Sequence, residues 1–248
     1  MLEILVLQHV GCEPPAAYTP ELARVARVRT VNIGVDPLPD STNFAAIVSM
    51  GGPMGYGDRS DIEWIQQEVC FLKEAIARRV PVWGVCLGAQ LLAAALGAPV
   101  YTGSAPEVGL SSVELTAAGE SDPVWSPLGT EIAVMQWHSD TFDLPVGAEL
   151  LASSGLYPNQ LFRYDRSYGV QFHIEADRDL AAKWLEFPEY RESLEQALGA
   201  GAGERFLDAL EATEGQMLLK ARKAMSLWID EVVLNKPGFA NSPVFGNT

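Results

Sequence analysis

Histidine and cysteine are both scarce in this chain. Each occurs 3 times in 248 residues. The cysteines, Cys12, Cys70 and Cys86, show no CxxC spacing, and their odd number speaks against a disulfide framework. Neither residue type has metal-ligand spacing, so no metal and no cofactor are expected. Basic residues are also few: 17 Lys and Arg stand against 32 Asp and Glu, a formal net charge of -15. That balance gives no electrostatic footprint for nucleic acid or an anionic membrane. A helix N-terminus can still bind a small anion locally. No apolar run reaches the roughly 20 residues that span a membrane. The opening "MLEILVLQHVG" has no basic n-region and no small-residue cleavage site. It reads as a first buried strand and not a signal peptide, so the cytoplasm is the expected compartment. What is abundant is apolar: 48% of residues are hydrophobic, enough for one sizeable α/β domain, with or without a helical appendage.

The chain alternates between two periodicities. Residues 2–8, the segment "VRTVNIG" and "FAAIVSM" at 44–50 are short strand-like runs. Between the first two lies a turn and a short helix. From Asp61 to Arg79, the residues Ile62, Ile65, Val69, Leu72 and Ile76 recur at helical spacing. Asp61 is the expected N-cap, and Arg78 and Arg79 suit a last turn. Cys70 is expected to be packed within this helix. "VPVWGVC" is the next strand and "LGAQLLAAALG" the next helix, stopped by Gly97 and Pro99. The alternation predicts an open, mostly parallel sheet with helices on both faces. Loops at the carboxyl ends of such strands carry function. Residues 107–172 read as further, partly antiparallel strands. From Asp177 the chain is helical, and "NKPGFANSPVFGNT" at its end reads as a loosely packed tail.

Four stretches carry potential chemistry. Gly84-Val85-Cys86-Leu87-Gly88 is a G-x-C-x-G pattern between strand and helix, as a nucleophile elbow requires. A sharp turn would expose Cys86, the helix dipole would favour negative charge beside it, and the Leu87 N–H could face an oxyanion. The plain alternative is a small buried hydrophobe. Gly51-Gly52-Pro53-Met54 is a tight turn or an oxyanion loop. No Gly-Lys-Ser/Thr follows, which disfavours a phosphate loop. In "QFHIEAD", His173 and Glu175 would share one face of a strand, so the carboxylate could hold the imidazole tautomer. In "MQWHSDTF", His138 and Asp140 have the same spacing. Spacing alone therefore leaves two candidate bases. His9 ends the first strand and has no acidic residue close in sequence. Asp140 could equally be a cap or turn former, and Trp137 ordinary core.

Together and in order, "GGPM", "GVCLGAQLLA" and "GVQFHIE" resemble the class I glutamine amidotransferases. "WHSDTFDLPVGAELLASS" and "NQLF" are similar to their stand-alone, GMP-synthase-like branch. The resemblance spans about residues 2–185. It implies a flavodoxin-like catalytic domain at 1–185 and a C-terminal helical extension and tail at 186–248. It also resolves the choice of base. It implies a triad of Cys86 as nucleophile, His173 as base and Glu175 as its orienting group, with an oxyanion site at the N–H groups of Gly52 and Leu87. Gln90 would contact the bound glutamine, with Gly51, Gln136, Trp137 and His138 beside the pocket. The implied reaction opens the γ-amide of glutamine through a thioester and releases ammonia.

No ATP-binding synthetase module is present, so the implied ammonia acceptor is a separate synthetase subunit. Without one, the same triad would serve a γ-glutamyl peptide hydrolase. Two other classes are a non-catalytic binding module on this fold and a thiol enzyme acting on aldehydes. The first would be marked by a lost nucleophile or base, and the second usually lacks the His-x-Glu pair. The sequence does not define an oligomeric state.

Overall fold

The computed structural model describes residues 2–40 and 43–234. The tail at 235–248 lies outside the described residues. Among the described residues, nine strands form one sheet: β1 (Glu3–Gln8), β2 (Arg27–Asn32), β3 (Ala46–Ser49), β4 (Val82–Val85), β5 (Val100–Leu115), β6 (Glu131–Phe142), β7 (Glu149–Ser153), β8 (Leu161–Tyr164) and β9 (Ser167–Val170). Their order is β2-β1-β3-β4-β9-β8-β7-β5-β6. The half from β2 to β9 is parallel. The other half is antiparallel. Six α-helices among the described residues accompany it: α1 (Thr19–Val25), α2 (Glu63–Ala77), α3 (Leu87–Ala95), α4 (Arg178–Trp184), α5 (Pro188–Leu198) and α6 (Ala202–Trp228). This is the expected open α/β sheet with a helical C-terminal segment, its parallel half joined to an antiparallel half of equal strand pairings.

Strand β1 shows why both faces need cover. Ile4, Leu5, Val6 and Leu7 are all fully buried, and successive side chains point to opposite faces. Ile4 and Val6 join a core with Leu22 of α1 and with Ala221, Met225 and Trp228 of α6. Leu5 and Leu7 join a second core with Ile65 and Leu72 of α2 and Leu91 of α3. At the centre of the first core, Trp83 of β4 stacks on Trp125 and packs against Tyr18, Tyr168 and Trp228. The segment after residue 185 thus contributes to the same core as the strands. A third cluster joins Met135 and Trp137 of β6 to Leu180, Trp184, Tyr190, Leu194 and Phe206.

Three local expectations are corrected. Ile62, not Asp61, holds the N-cap position of α2, and no side chain caps it. Asp61 instead closes the preceding 3-10 turn, Tyr56–Ser60, through a backbone bond. The helix ends at Ala77, so Arg78 and Arg79 lie past it, the latter at φ 59°. Cys70 is exposed on the outer face of α2, not packed. Its neighbours Val69, Phe71 and Leu72 carry the buried face.

Candidate active site

Strand β4 runs straight into α3, and the turn between them is Cys86. Its backbone sits at φ 51° and ψ -107°, left-handed territory that a side chain enters only when its surroundings enforce it. The Cys86 N–H donates to the Val170 carbonyl at 2.8 Å, and the Cys86 carbonyl accepts from the N–H groups of Ala89 and Gln90. The flanking glycines explain how the chain fits. A Cβ on Gly84 would meet the Gly88 carbonyl and the Ala89 nitrogen, and one on Gly88 would meet the Ser49 carbonyl of β3. Backbone cannot swing aside. Gly88→Ala is therefore expected to cost ~3 kcal/mol of stability, measured by denaturant unfolding.

Cys86 is 6% exposed and lies in the wall of a cavity of about 340 Å³. Its sulfur has the Trp137 carbonyl and the Gln171 amide nitrogen each at 3.8 Å. His173 lines the same cavity and points its Nδ1 at Glu175 Oε1, 2.7 Å away. Both side chains are almost wholly buried. The other Glu175 oxygen accepts the Ile174 N–H at 3.0 Å, which fixes the carboxylate. With Nδ1–H donated to Glu175, Nε2 is the nitrogen left to exchange a proton with Cys86. Burial opposes charge on His173, but the Glu175 carboxylate, its hydrogen bond and the Cys86 sulfur outweigh it and hold the imidazole pKa well above its usual range.

The His173–Glu175 pair forms differently from expectation. Strand β9 ends at Val170, so the pair does not share the face of a strand. A single antiparallel bridge to Met135 instead holds the His173 backbone, with bonds of 2.8 and 2.9 Å. Trp184 packs edge-on against the imidazole, with centroids 5.0 Å apart.

His138 differs from the spacing argument. Its Nδ1 faces the Asp140 backbone carbonyl at 2.9 Å, and its Nε2 faces the Glu107 carboxylate at 3.1 Å. The Asp140 carboxylate accepts from Thr102 instead, at 2.8 Å. His138 and Trp137 both line the cavity, as does Gln90, whose amide nitrogen lies 3.3 Å from the Asp140 carbonyl and from Gln171 Oε1. Gln136 does not reach the cavity lining. It is buried, and its amide donates to Gln160 at 3.0 Å.

Gly52 and Leu87 both line the cavity, and among the described residues neither donates its N–H to a protein acceptor. For Leu87 this follows from its place at the first position of a helix, where an N–H has no intrahelical partner. Gly51 is not part of the lining. Its Cα is wedged so that a Cβ would strike the Glu13 carboxylate and approach His173 Cε1.

Several cavity residues carry no signal in the sequence. Glu13, in the turn after β1, is buried and accepts a hydrogen bond from the Tyr190 hydroxyl of α5. Trp184, Glu189, Tyr190 and Ser193 line the cavity from α4 and α5, and Ser193 accepts the Trp137 indole N–H at 2.8 Å. The C-terminal helices thus supply part of the wall. His9 does have an acidic partner: its Nε2 lies 2.8 Å from Glu68 Oε2. Glu68 sits on the buried stripe of α2 between Ile65 and Leu72, a polar residue in an apolar row, and that interruption was a readable signal.

Burial raises the Glu13 carboxyl pKa above the usual range, against opposing effects of His173 and Tyr190. The folded state therefore holds the Glu13 proton more tightly than the unfolded chain. Stability falls as pH rises from the unfolded value through the folded one. Glu13→Gln removes this penalty while keeping an acceptor for Tyr190. It is expected to raise the melting temperature at pH 8 and to leave it nearly unchanged at pH 4, as read by thermal unfolding.

Comparison with known proteins places this chain in a family. Residues 16–187 match the sequence model of the class-I glutamine amidotransferases, and the chain belongs to that family. It is similar to the glutamine amidotransferase-like protein YfeJ of Salmonella typhimurium, 28% identical over 79% of this chain and 81% of that one. It is also similar to one subunit of the glutamine-hydrolyzing GMP synthase of Saccharolobus solfataricus, 30% identical over 56% of this chain and 71% of that one. A solved glutamine amidotransferase of Thermotoga maritima superposes with a TM-score of 0.82 at 27% identity, over 92% of this chain and 98% of that one. Family membership supports glutamine amidotransferase activity in general terms.

Proposed function

We propose that this chain is a cysteine-dependent glutaminase that opens the γ-amide of glutamine through a γ-glutamyl thioester. One observation carries the reading: His173, held by Glu175 at 2.7 Å, shares a cavity with a cysteine held at φ 51° on a helix N-terminus. In this reading Cys86 passes its proton to His173 and its sulfur attacks the γ-carboxamide carbon. The oxyanion lies against the N–H groups of Gly52 and Leu87. His173 then hands its proton to the departing ammonia. Water, deprotonated by the same imidazole, cleaves the thioester and releases glutamate. Gln90, Trp137 and His138 border the substrate, while Gly51 holds the loop in place. A glutamine-derived electrophile is the test. Mass spectrometry is expected to find it on Cys86, and modification of Cys12 or Cys70 with Cys86 untouched would sink the proposal.

A separate synthetase subunit is the proposed ammonia acceptor, because one relative is itself a subunit of a GMP synthase. We place the enzyme in the cytoplasm. No helix of the described residues is long and apolar enough to cross a membrane.

A second reading, a γ-glutamyl hydrolase, has one observation in its favour. Asp58, Asp140 and Glu189 line the cavity, and among the described residues neither Lys nor Arg does. A cavity of that sign attracts an ammonium group on the leaving amine. The two readings separate by comparing kcat/KM for glutamine with that for a γ-glutamyl diamine. Higher turnover of glutamine, with ammonia release stimulated by a synthetase, favours the first reading. Turnover of the diamine conjugate alone favours the second.

A further inference from the structure

His9, Glu68 and Ser49 form a buried polar chain that the thioester chemistry does not use. The Ser49 hydroxyl donates to Glu68 Oε1 at 2.7 Å, and Glu68 Oε2 faces His9 Nε2 at 2.8 Å. His9 Nδ1 faces the Gly51 carbonyl at 3.0 Å. The imidazole stacks on Trp64, with centroids 5.2 Å apart and planes 19° from parallel. The His9 and Glu68 side chains are inaccessible to solvent, and none of the three residues lines the cavity. None can touch substrate.

The chain ends on a single carbonyl. Both groups facing the His9 ring are acceptors, a carboxylate and a backbone oxygen, so this arrangement is satisfied when both ring nitrogens carry protons. Burial opposes that charge, but Glu68 and the hydrogen bonds to Glu68 and Gly51 outweigh it and raise the His9 pKa. The Gly51 carbonyl belongs to the same peptide unit as the Gly52 N–H. No cis peptide bond occurs among the described residues, and in a trans unit the two groups point in opposite directions. Whatever holds the carbonyl also aims the N–H. Glycine on both sides leaves that peptide otherwise free to rotate.

We infer that His9 is a positioning residue that latches the Gly51–Gly52 peptide by its carbonyl, so that the Gly52 N–H stays turned toward Cys86 and Leu87 as a ready oxyanion donor. Glu68 and Ser49 hold the latch, and Trp64 fixes the plane of its ring. A flipped peptide would leave a buried His9 N–H unpaired and aim a carbonyl oxygen where the oxyanion forms. Both consequences oppose the flip. The inference rests on the proposed thioester chemistry at Cys86, and the test is chosen to separate the two.

Two substitutions split the two ends of the imidazole. An asparagine amide nitrogen falls near the position of Nδ1, and a glutamine amide nitrogen near that of Nε2. His9→Asn keeps a donor for Gly51, whereas His9→Gln keeps only the contact with Glu68. With γ-glutamyl p-nitroanilide and glutamine as substrates, His9→Gln is expected to lose about 10²–10³ in kcat, as for loss of an oxyanion donor, with little change in KM. His9→Asn is expected to retain kcat to within ~10-fold. Alkylation of Cys86 by iodoacetamide forms no tetrahedral oxyanion, so its rate is expected to stay within about 3-fold of wild type in both. Equal losses in the two folded variants, or losses matched by slower alkylation, would overturn the latch.

The wild-type protein supplies a readout that does not depend on variant folding. With ¹⁵N-labelled histidine, only three residues contribute ring signals. His9 Nδ1 is expected to be protonated at pH 7, and an unprotonated Nδ1 would overturn the latch. If wild type turns over no γ-glutamyl substrate at all, the thioester reading fails. Turnover with a bare Nδ1 fails the latch alone.

Discussion

Cys86→Ser is expected to lose glutamine hydrolysis by roughly 10⁴-fold or more while the protein stays folded. The serine hydroxyl is a poor substitute because the proposed mechanism needs a nucleophile acidic enough to give its proton to His173 without further help. Ammonia release and far-UV circular dichroism read the two halves of this expectation. A companion variant separates the role of the backbone from that of the sulfur. Cys86 stands at φ 51° and ψ -107°, which glycine adopts without a steric cost. Cys86→Gly is therefore expected to be inactive yet more stable by ~1 kcal/mol in denaturant unfolding. A stability equal to or below wild type would mean that the turn is held without strain. Turnover near the wild-type rate in Cys86→Ser would mean that a group other than the Cys86 sulfur is the nucleophile.

The second large effect distinguishes the two histidines. His173→Ala is expected to lower kcat by about 10³–10⁴, because in the proposed mechanism one imidazole serves as base and then as acid. His138→Ala is expected to keep kcat within ~10-fold and to change KM more. The reason is their surroundings. His173 has a carboxylate on Nδ1 and leaves Nε2 to Cys86, whereas His138 has both nitrogens occupied, by the Asp140 carbonyl and Glu107. Steady-state kinetics on glutamine measures both. Full activity in His173→Ala with loss in His138→Ala would reverse the assignment.

Much of the fold follows from local pattern. The buried run of β1, the helical spacing of α2 and the glycine-flanked turn before α3 are short-range features. A chain folding under them has few arrangements other than an open α/β sheet. What local pattern misplaced was the edges. Asp61 resembled a cap because acidic residues cap helices often, yet the tight 3-10 turn before α2 placed Ile62 at that position. Cys70 resembled a packed residue because cysteine is usually buried, but its position on the helix lies outside the arc that Ile65, Glu68, Val69, Phe71, Leu72 and Ala75 bury.

The site divides along the same line. Cys86 with its two glycines and His173 with Glu175 are each encoded within five residues, because a strained turn and a His–carboxylate pair are local devices. The sequence by itself therefore determined the chemical types present and their order along the chain. Only the tertiary structure decided which of them meet. Glu13 and Tyr190 are bonded across 177 positions, and His9 and Glu68 across 59. No periodicity carries information over such distances. The sheet order β1-β3-β4 brings the ends of three strands side by side, and α5 closes over them. Packing of apolar faces sets that convergence. It puts the glycine loop after β3 and the elbow after β4 beside the dyad that follows β9. It also makes His9, which had no neighbour to act on in the sequence, the residue that holds the Gly51 carbonyl.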